Sequence, residues 1–218
     1  MRWRRCWDNG EDGTAAFGRP GTMTIATAPM SLEDFFAYTE DLDALYELEN
    51  GEPVAMPPES DLNLRIASFL FAYFLQQGIP HDRLRMKTEI AVSGSRVTVR
   101  LPDLMVLSEE SAAALAAASR STITMDMPPP RLVVEVVSPG KKNVDRDYRY
   151  KRAQYQAREV AEYWIVDPIA QRVTVLNLVE GLYEEAVFEG DAVIGSPLLR
   201  EMASEKGLTA GQVLNASL

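Results

Sequence analysis

The chain has a single cysteine, Cys6, and a single histidine, His81, among 218 residues. One cysteine excludes an internal disulfide framework, and one histidine excludes a histidine-rich zinc or iron centre. Any metal would therefore have to be held by carboxylates. Long apolar runs are also missing. None approaches the roughly 18 residues needed to span a bilayer, and no apolar signal core follows the N-terminal arginines, so a soluble, cytoplasmic protein is expected. Positive charge is in deficit, with 22 Lys and Arg against 32 Asp and Glu and a net charge of −10. That balance argues against a protein that coats nucleic acid by bulk attraction, so contact with phosphates would have to be local.

What is present is a hydrophobic content of 46%, enough at this length for one well-buried domain. Residues 1–29 have neither helical nor strand periodicity and are expected to be a disordered extension, with a single domain over 30–218. Patterned sequence begins at Ser31, which makes Met23 or Met30 the expected translation start. Ser31-Leu-Glu-Asp34 has the form of a helix N-cap with an acid at the third helical position. A hairpin is expected around Glu49-Asn-Gly51, because Asn-Gly readily takes positive φ. After Ser60, apolar residues at Leu62, Ile66, Phe69, Leu70, Tyr73 and Phe74 predict a helix that ends at Gly78.

Strands are predicted from Met86 to Val92 and from Arg96 to Leu107, the latter interrupted at Pro102-Asp103. A helix is expected over Ser108–Ala118. Leu132 to Val137 is nearly continuous apolar sequence, the mark of a strand buried on both faces. Asn143 to Ala157 is predicted to be helical, with strands at Tyr163–Val166, Arg172–Leu178 and Tyr183–Phe188. The predicted order is αββα, ββ, α, β, α, β, β, β: an α/β (α+β) arrangement with a mixed sheet flanked by helices.

Glu135 is the strongest chemical signal, because a carboxylate inside the Leu132–Val137 strand must be paired, protonated or bound to a cation. Asp103 follows Pro102 at a strand break. If the strands carrying them are adjacent, the two acids can enter one pocket, and such hard oxygen donors suit Mg²⁺. Asp147, Lys151 and Tyr155 are spaced four apart, which predicts an inward-looking helix face. Lys151 is then either a structural counterion or a group that stabilises charge developing on a phosphate. From Lys141 to Arg158 there are seven basic residues against two acidic ones, either a solvated helix face or a contact for a nucleic-acid backbone.

Leu101-Pro-Asp103, Leu132-Val-Val-Glu135-Val-Val-Ser138-Pro139, Asp147-x-x-x-Lys151-x-x-x-Tyr155 and Glu162-Tyr-Trp-Ile-Val-Asp167-Pro168 form an ordered set. Together with Tyr46-Glu-Leu-Glu-Asn-Gly51-Glu52 and Met56-Pro-Pro58, the set resembles the Uma-two family of bacterial endonucleases, in the PD-(D/E)xK, restriction-endonuclease-like superfamily. The likeness runs over roughly residues 30 to 190. It implies a restriction-endonuclease-like fold, cleavage of phosphodiester bonds with Mg²⁺ or Mn²⁺, DNA as the partner, and a homodimer. It also implies that Asp103 and Glu135 bind the metal, and that Lys151 stands in for the lysine normally found two residues after the second acid, where this chain has Val137. Glu47, with Glu52 as a second candidate, would complete the acidic cluster from the first hairpin. The alternative is a nuclease fold without turnover, acting as a nucleic-acid-binding or regulatory module. Two departures from the family pattern, Leu62-Asn63-Leu64 in place of a histidine and Gly140-Lys141 after Ser-Pro, concern substrate contacts rather than metal ligands.

Overall fold

The computed structural model describes residues 28–202 and 207–216. All but two residues of the expected disordered extension lie outside this range. Helix α1 (Leu32–Thr39) opens with the capping box anticipated at Ser31 and Asp34, each satisfying a backbone N–H of the other. Strands β1 (Tyr46–Glu49) and β2 (Glu52–Ala55) form the hairpin. Its turn residues Asn50 and Gly51 have φ of 52° and 83°, as a type I′ connection requires. A Cβ at Gly51 would also lie 2.5 Å from Cβ of Pro29, so only glycine fits there. Helix α2 (Asp61–Gln76) starts where Ser60 caps the N–H of Asn63 and buries Ile66, Leu70, Tyr73 and Phe74.

The remaining strands are β3 (Leu84–Arg85), β4 (Glu89–Val92), β5 (Thr98–Arg100), β6 (Leu104–Val106), β7 (Thr122–Ile123), β8 (Leu132–Val136), β9 (Glu162–Asp167), β10 (Arg172–Val179) and β11 (Leu182–Glu189). They build two mixed sheets instead of one, ordered β2-β1-β5-β4-β7 and β11-β10-β9-β8-β6-β3. The parallel pairs are β4 with β7 and β8 with β9. The stretch expected as one strand over Arg96–Leu107 is split between the sheets as β5 and β6, and the one expected over Met86–Val92 is a strand only from Glu89, with β3 lying just ahead of it in the other sheet. The chain passes from β3 to β4 through Met86-Lys87-Thr88, where Lys87 has φ of 49°. It returns from β5 to β6 through Leu101-Pro102-Asp103.

Helix α3 (Glu109–Ala116) is capped by Ser108. The long helix is heterogeneous: α4 (Lys141–Asp145), a π-helical segment over Arg146–Lys151, and α5 (Arg152–Ala157). Helices α6 (Pro197–Glu201) and α7 (Ala210–Asn215) carry too few apolar residues to reveal a period in sequence. Alternation along β8 sorts the core. Leu132, Val134 and Val136 pack with residues of α2 and α7 on one face. Val133 and Val137 face the other way, toward Tyr155 of α5 and Ile90, Val92 and Ile123 of the smaller sheet. Glu135 shares this second face, between the two sheets. Each fully buried aliphatic or aromatic side chain here contributes about 1.5–3 kcal/mol, so a carboxylate on that face must be compensated.

Candidate functional site

The site lies where the two sheets part. In the antiparallel pairing of β6 with β8, Leu104 faces Val134 and Met105 faces Val133. Continuing the register by one residue puts Asp103 opposite Glu135, on the same face. Pro102 ends the pairing on the Asp103 side. One Asp103 oxygen accepts from the backbone N–H of Val136 at 2.7 Å. The other lies 2.5 Å from Nζ of Lys87, which also reaches Glu59 at 3.2 Å. The two crossovers between the sheets are thus tied together by an ion pair at the edge of the acid pair.

Deeper in, Nζ of Lys151 is 2.7 Å from Glu135, 3.5 Å from Glu47 and 3.6 Å from Asp147. The Tyr155 hydroxyl donates to the second Glu135 oxygen at 2.6 Å. The expected inward face of Asp147, Lys151 and Tyr155 is therefore observed, and all three side chains are buried. They project inward from a π-helical turn and the helix that follows it, and such wider turns are frequent at functional sites. Glu47 comes from β1, whose Leu48 faces α1 while Glu47 faces the interior. It accepts from Arg100 at 2.7 Å and from the backbone N–H of Leu101 at 3.2 Å. Arg100 continues to Glu49 at 2.6 Å. Arg146 is 3.4 Å from Asp147. Glu52, by contrast, is exposed on β2.

Opposed effects set the ionisation of this cluster. Burial pushes the Glu135 carboxyl up, and although Lys151 opposes that, Asp103, Asp147 and Glu47 add to it, leaving the group at about 7. Asp147 is raised as well, by burial that Lys151 and Arg146 only partly offset. Burial acts on Glu47 too, but Lys151 and Arg100 outweigh it and hold the carboxyl down at about 2. Lys151 is fully buried, yet its three carboxylate partners keep it protonated. The ion pairs fall into two adjacent groups: Glu59 and Asp103 on Lys87, and Glu47, Glu49, Glu135 and Asp147 on Arg100, Arg146 and Lys151. Each group carries one negative charge in excess when every acid is ionised.

Glu135, Lys151 and Glu47 are thus brought into one network, with Asp103 opposite Glu135 on the neighbouring strand. Sequence reasoning missed Lys87, Arg100 and Arg146 as its counterions and Asn63 at its edge, where the amide reaches the carbonyl of Val136 at 3.4 Å and the hydroxyl of Ser138 at 3.1 Å. Asp147 was visible only as a spacing partner of Lys151. The basic stretch is not a uniform face. Lys151 and Arg158 are buried, Arg152 pairs with Glu185, and Lys142 and Arg146 line a cavity of about 250 Å³ beside Pro57-Pro58-Glu59 and Ser138. Among the described residues no three His, Cys, Asp or Glu side chains are drawn together as a metal cage, the acids being closed on Lys87 and Lys151.

No helix among the described residues is long and apolar enough to cross a membrane. No curated protein matches the chain. A similar fold occurs in the crystal structure of a "putative nuclease belonging to DUF820" from Anabaena variabilis, with a TM-score of 0.62 and 17% identity over 87% of this chain and 100% of that one. At that identity the likeness speaks for the fold alone, a nuclease fold of mixed sheets flanked by helices. The model of the Uma2 family, described as "Putative restriction endonuclease", matches residues 32–210. Covering most of the sequence from α1 to α7, that match means that this chain belongs to the Uma2 family.

Proposed function

We propose that this chain is a divalent-metal-dependent endonuclease that hydrolyses phosphodiester bonds of DNA, with Asp103 and Glu135 as the metal ligands. The observation that carries the reading is the Asp103–Glu135 pair across β6 and β8, with the Lys151 ammonium 2.7 Å from Glu135. The donor set fits the ion. Mg²⁺ is commonly held by one or two carboxylates and keeps several waters, and Asp103 and Glu135 each belong to an ion-pair group with one negative charge in excess. Bound Mg²⁺ or Mn²⁺ supplies Lewis-acid activation of water and neutralises charge on the phosphate.

The chain's own residues account for the rest. Tyr155, donating to one Glu135 oxygen, fixes the carboxylate so that it does not rotate away from Asp103. Lys151 stays protonated and is positioned to stabilise negative charge gathering on a phosphoryl oxygen, while Glu47 and Asp147 keep the ammonium in place. Lys87 is paired with Asp103 and would swing aside toward Glu59 for an ion to reach that carboxylate. Lys142 and Arg146, at the cavity beside the site, hold the flanking backbone. A homodimer in the cytoplasm completes this reading.

The decisive experiment incubates purified protein with supercoiled plasmid in Mg²⁺, Mn²⁺ and EDTA. Metal-dependent nicking is expected from wild type and not from Asp103→Ala; equal behaviour of the two proteins rejects the proposal. One observation favours a second reading, a nuclease fold without turnover: Glu135, Lys151 and Asp147 satisfy one another and are almost wholly sealed from solvent. That reading expects nucleic-acid binding indifferent to both metal and Asp103.

A further inference from the structure

A second cavity, of about 340 Å³, shares Arg146 with the first. It falls at the lower end of the range of small-molecule pockets, about 300–1,000 Å³. One wall is Tyr150, an aromatic side chain left 59% exposed on the π-helical segment. The Arg149 guanidinium approaches its ring, 6.0 Å from the centroid. Opposite stand Asn50 and Gln154. The carbonyl oxygen of Asn50 is taken by Ser95 and that of Gln154 by Arg100, so both amides have N–H groups left to donate. Lys142 and Arg146, together with Glu49, which is paired with Arg100, line both this cavity and the one beside Pro57-Pro58-Glu59.

We propose that the cavity beside Tyr150 is a subsite for one unpaired nucleobase of the substrate strand. The proposal rests on the nuclease reading and deepens it, because it names the form of nucleic acid the site takes. The chemistry matches part by part. A flat aromatic with an arginine beside it is a stacking platform for any base. Two amide donors meet the acceptor atoms that every base carries on its edge. Two shared cations hold the phosphate that joins this nucleotide to the one at the acid cluster. A base inside a duplex has both faces covered and its pairing edge occupied, so only an unpaired or extruded base can enter. The site therefore favours single strands, flaps or frayed ends over continuous duplex.

The test is a binding measurement that needs no turnover. Fluorescence anisotropy of the full chain in EDTA is recorded with a labelled single-stranded oligodeoxynucleotide and with the same sequence as blunt duplex. Wild type is expected to bind the single strand more tightly. Tyr150→Ala is expected to weaken single-strand binding by about 5- to 150-fold, the equivalent of about 1–3 kcal/mol for one stacked base, and to leave duplex binding unchanged. Tyr150→Phe should bind like wild type, since the ring and not the hydroxyl carries the contact. Equal single-strand affinity of wild type and Tyr150→Ala, or equal loss on both substrates, overturns this proposal and leaves the nuclease reading standing. Absence of binding to either substrate overturns this proposal as well, while the nuclease reading is decided separately by the nicking assay with metal.

Discussion

Glu135→Gln separates a site held under electrostatic tension from an ordinary internal ion pair. In the folded protein the Glu135 carboxyl titrates at about 7, against an ordinary value of 4.5. Because the folded value is raised, the native state holds a proton that the unfolded chain has already released across this window. Stability is therefore greatest below the ordinary value and falls as pH rises toward and through the folded one. A rise from 4.5 to about 7 corresponds, at about 1.4 kcal/mol per tenfold change in proton affinity, to roughly 3–4 kcal/mol lost in full above about pH 8. Glutamine keeps the acceptor for Tyr155 and cannot ionise. Lys151 retains Glu47 and Asp147. The substitution has its own pH-independent cost, so the informative quantity is the difference between variant and wild type as a function of pH. In EDTA, urea unfolding at about pH 5 and about pH 8 should find that difference moving in favour of Glu135→Gln by about 2–3 kcal/mol. Excess Mg²⁺ should reverse the gain, because a cation binds ionised Glu135 and stabilises wild type by mass action. A difference that stays flat with pH, or that moves toward wild type as pH rises, refutes the account of a carboxylate surplus.

Three further outcomes follow from the same network. Lys87→Met removes the ammonium that competes for Asp103, so calorimetric titration should find Mn²⁺ binding about tenfold tighter, about 1.4 kcal/mol, while the metal-free protein melts lower. Arg100→Met leaves Glu47 buried beside Lys151 alone and should destabilise the fold by about 3–5 kcal/mol in denaturant; a loss within experimental error would mean that the Arg100–Glu47 pair is dispensable. Glu47 is held at about 2, a depressed value, so its contribution is present above the ordinary 4.5 and lost as pH falls toward 2. Glu47→Gln should accordingly flatten the acid limb of the stability curve below about pH 4.

The parts of the fold legible in the sequence are those set by local chemistry. Ser31 with Asp34, Asn50-Gly51, Ser60 and Ser108 each mark a boundary because a cap or a positive φ requires that residue type there. The division into two sheets was not legible. Residues 84–92 and 98–106 keep β-branched, apolar character on both sides of their breaks, and nothing in a hydropathy pattern says that a chain changes sheet at Lys87 and again at Pro102. Strand order is decided by long-range pairing, which leaves only weak traces in a single sequence. The π-helical turn was hidden for a related reason: Asp147, Lys151 and Tyr155 keep a spacing of four, which a regular α-helix satisfies equally well.

The same distinction explains which site residues could be found. Glu135 stood out because it violates the composition of its strand, and such a violation can be seen without knowing any partner. Its partners break no local rule. Arg100 looks like the polar end of a strand, Lys87 like a turn residue, and Glu47 like the outward position of a hairpin. Apart from the resemblance that marked Glu47, each acquires meaning only when the smaller sheet folds over the face of β8 and brings β1, β5 and the β3–β4 crossover against the acid pair. The site is therefore a property of the junction between the sheets. Both sheet-crossing segments supply it, Asp103 from one and Lys87 from the other, and a change that loosens the junction should disturb the acid pair before it unfolds either sheet. Tightening the junction has the opposite sense: occupancy of Asp103 and Glu135 by a divalent ion joins β6 to β8 at the point where Pro102 ends their backbone pairing. Metal binding should consequently protect the amides of Leu104 to Val106 from hydrogen exchange more than those of β10 and β11. Protection spread evenly over both regions would mean that the ion acts on global stability and not at this junction.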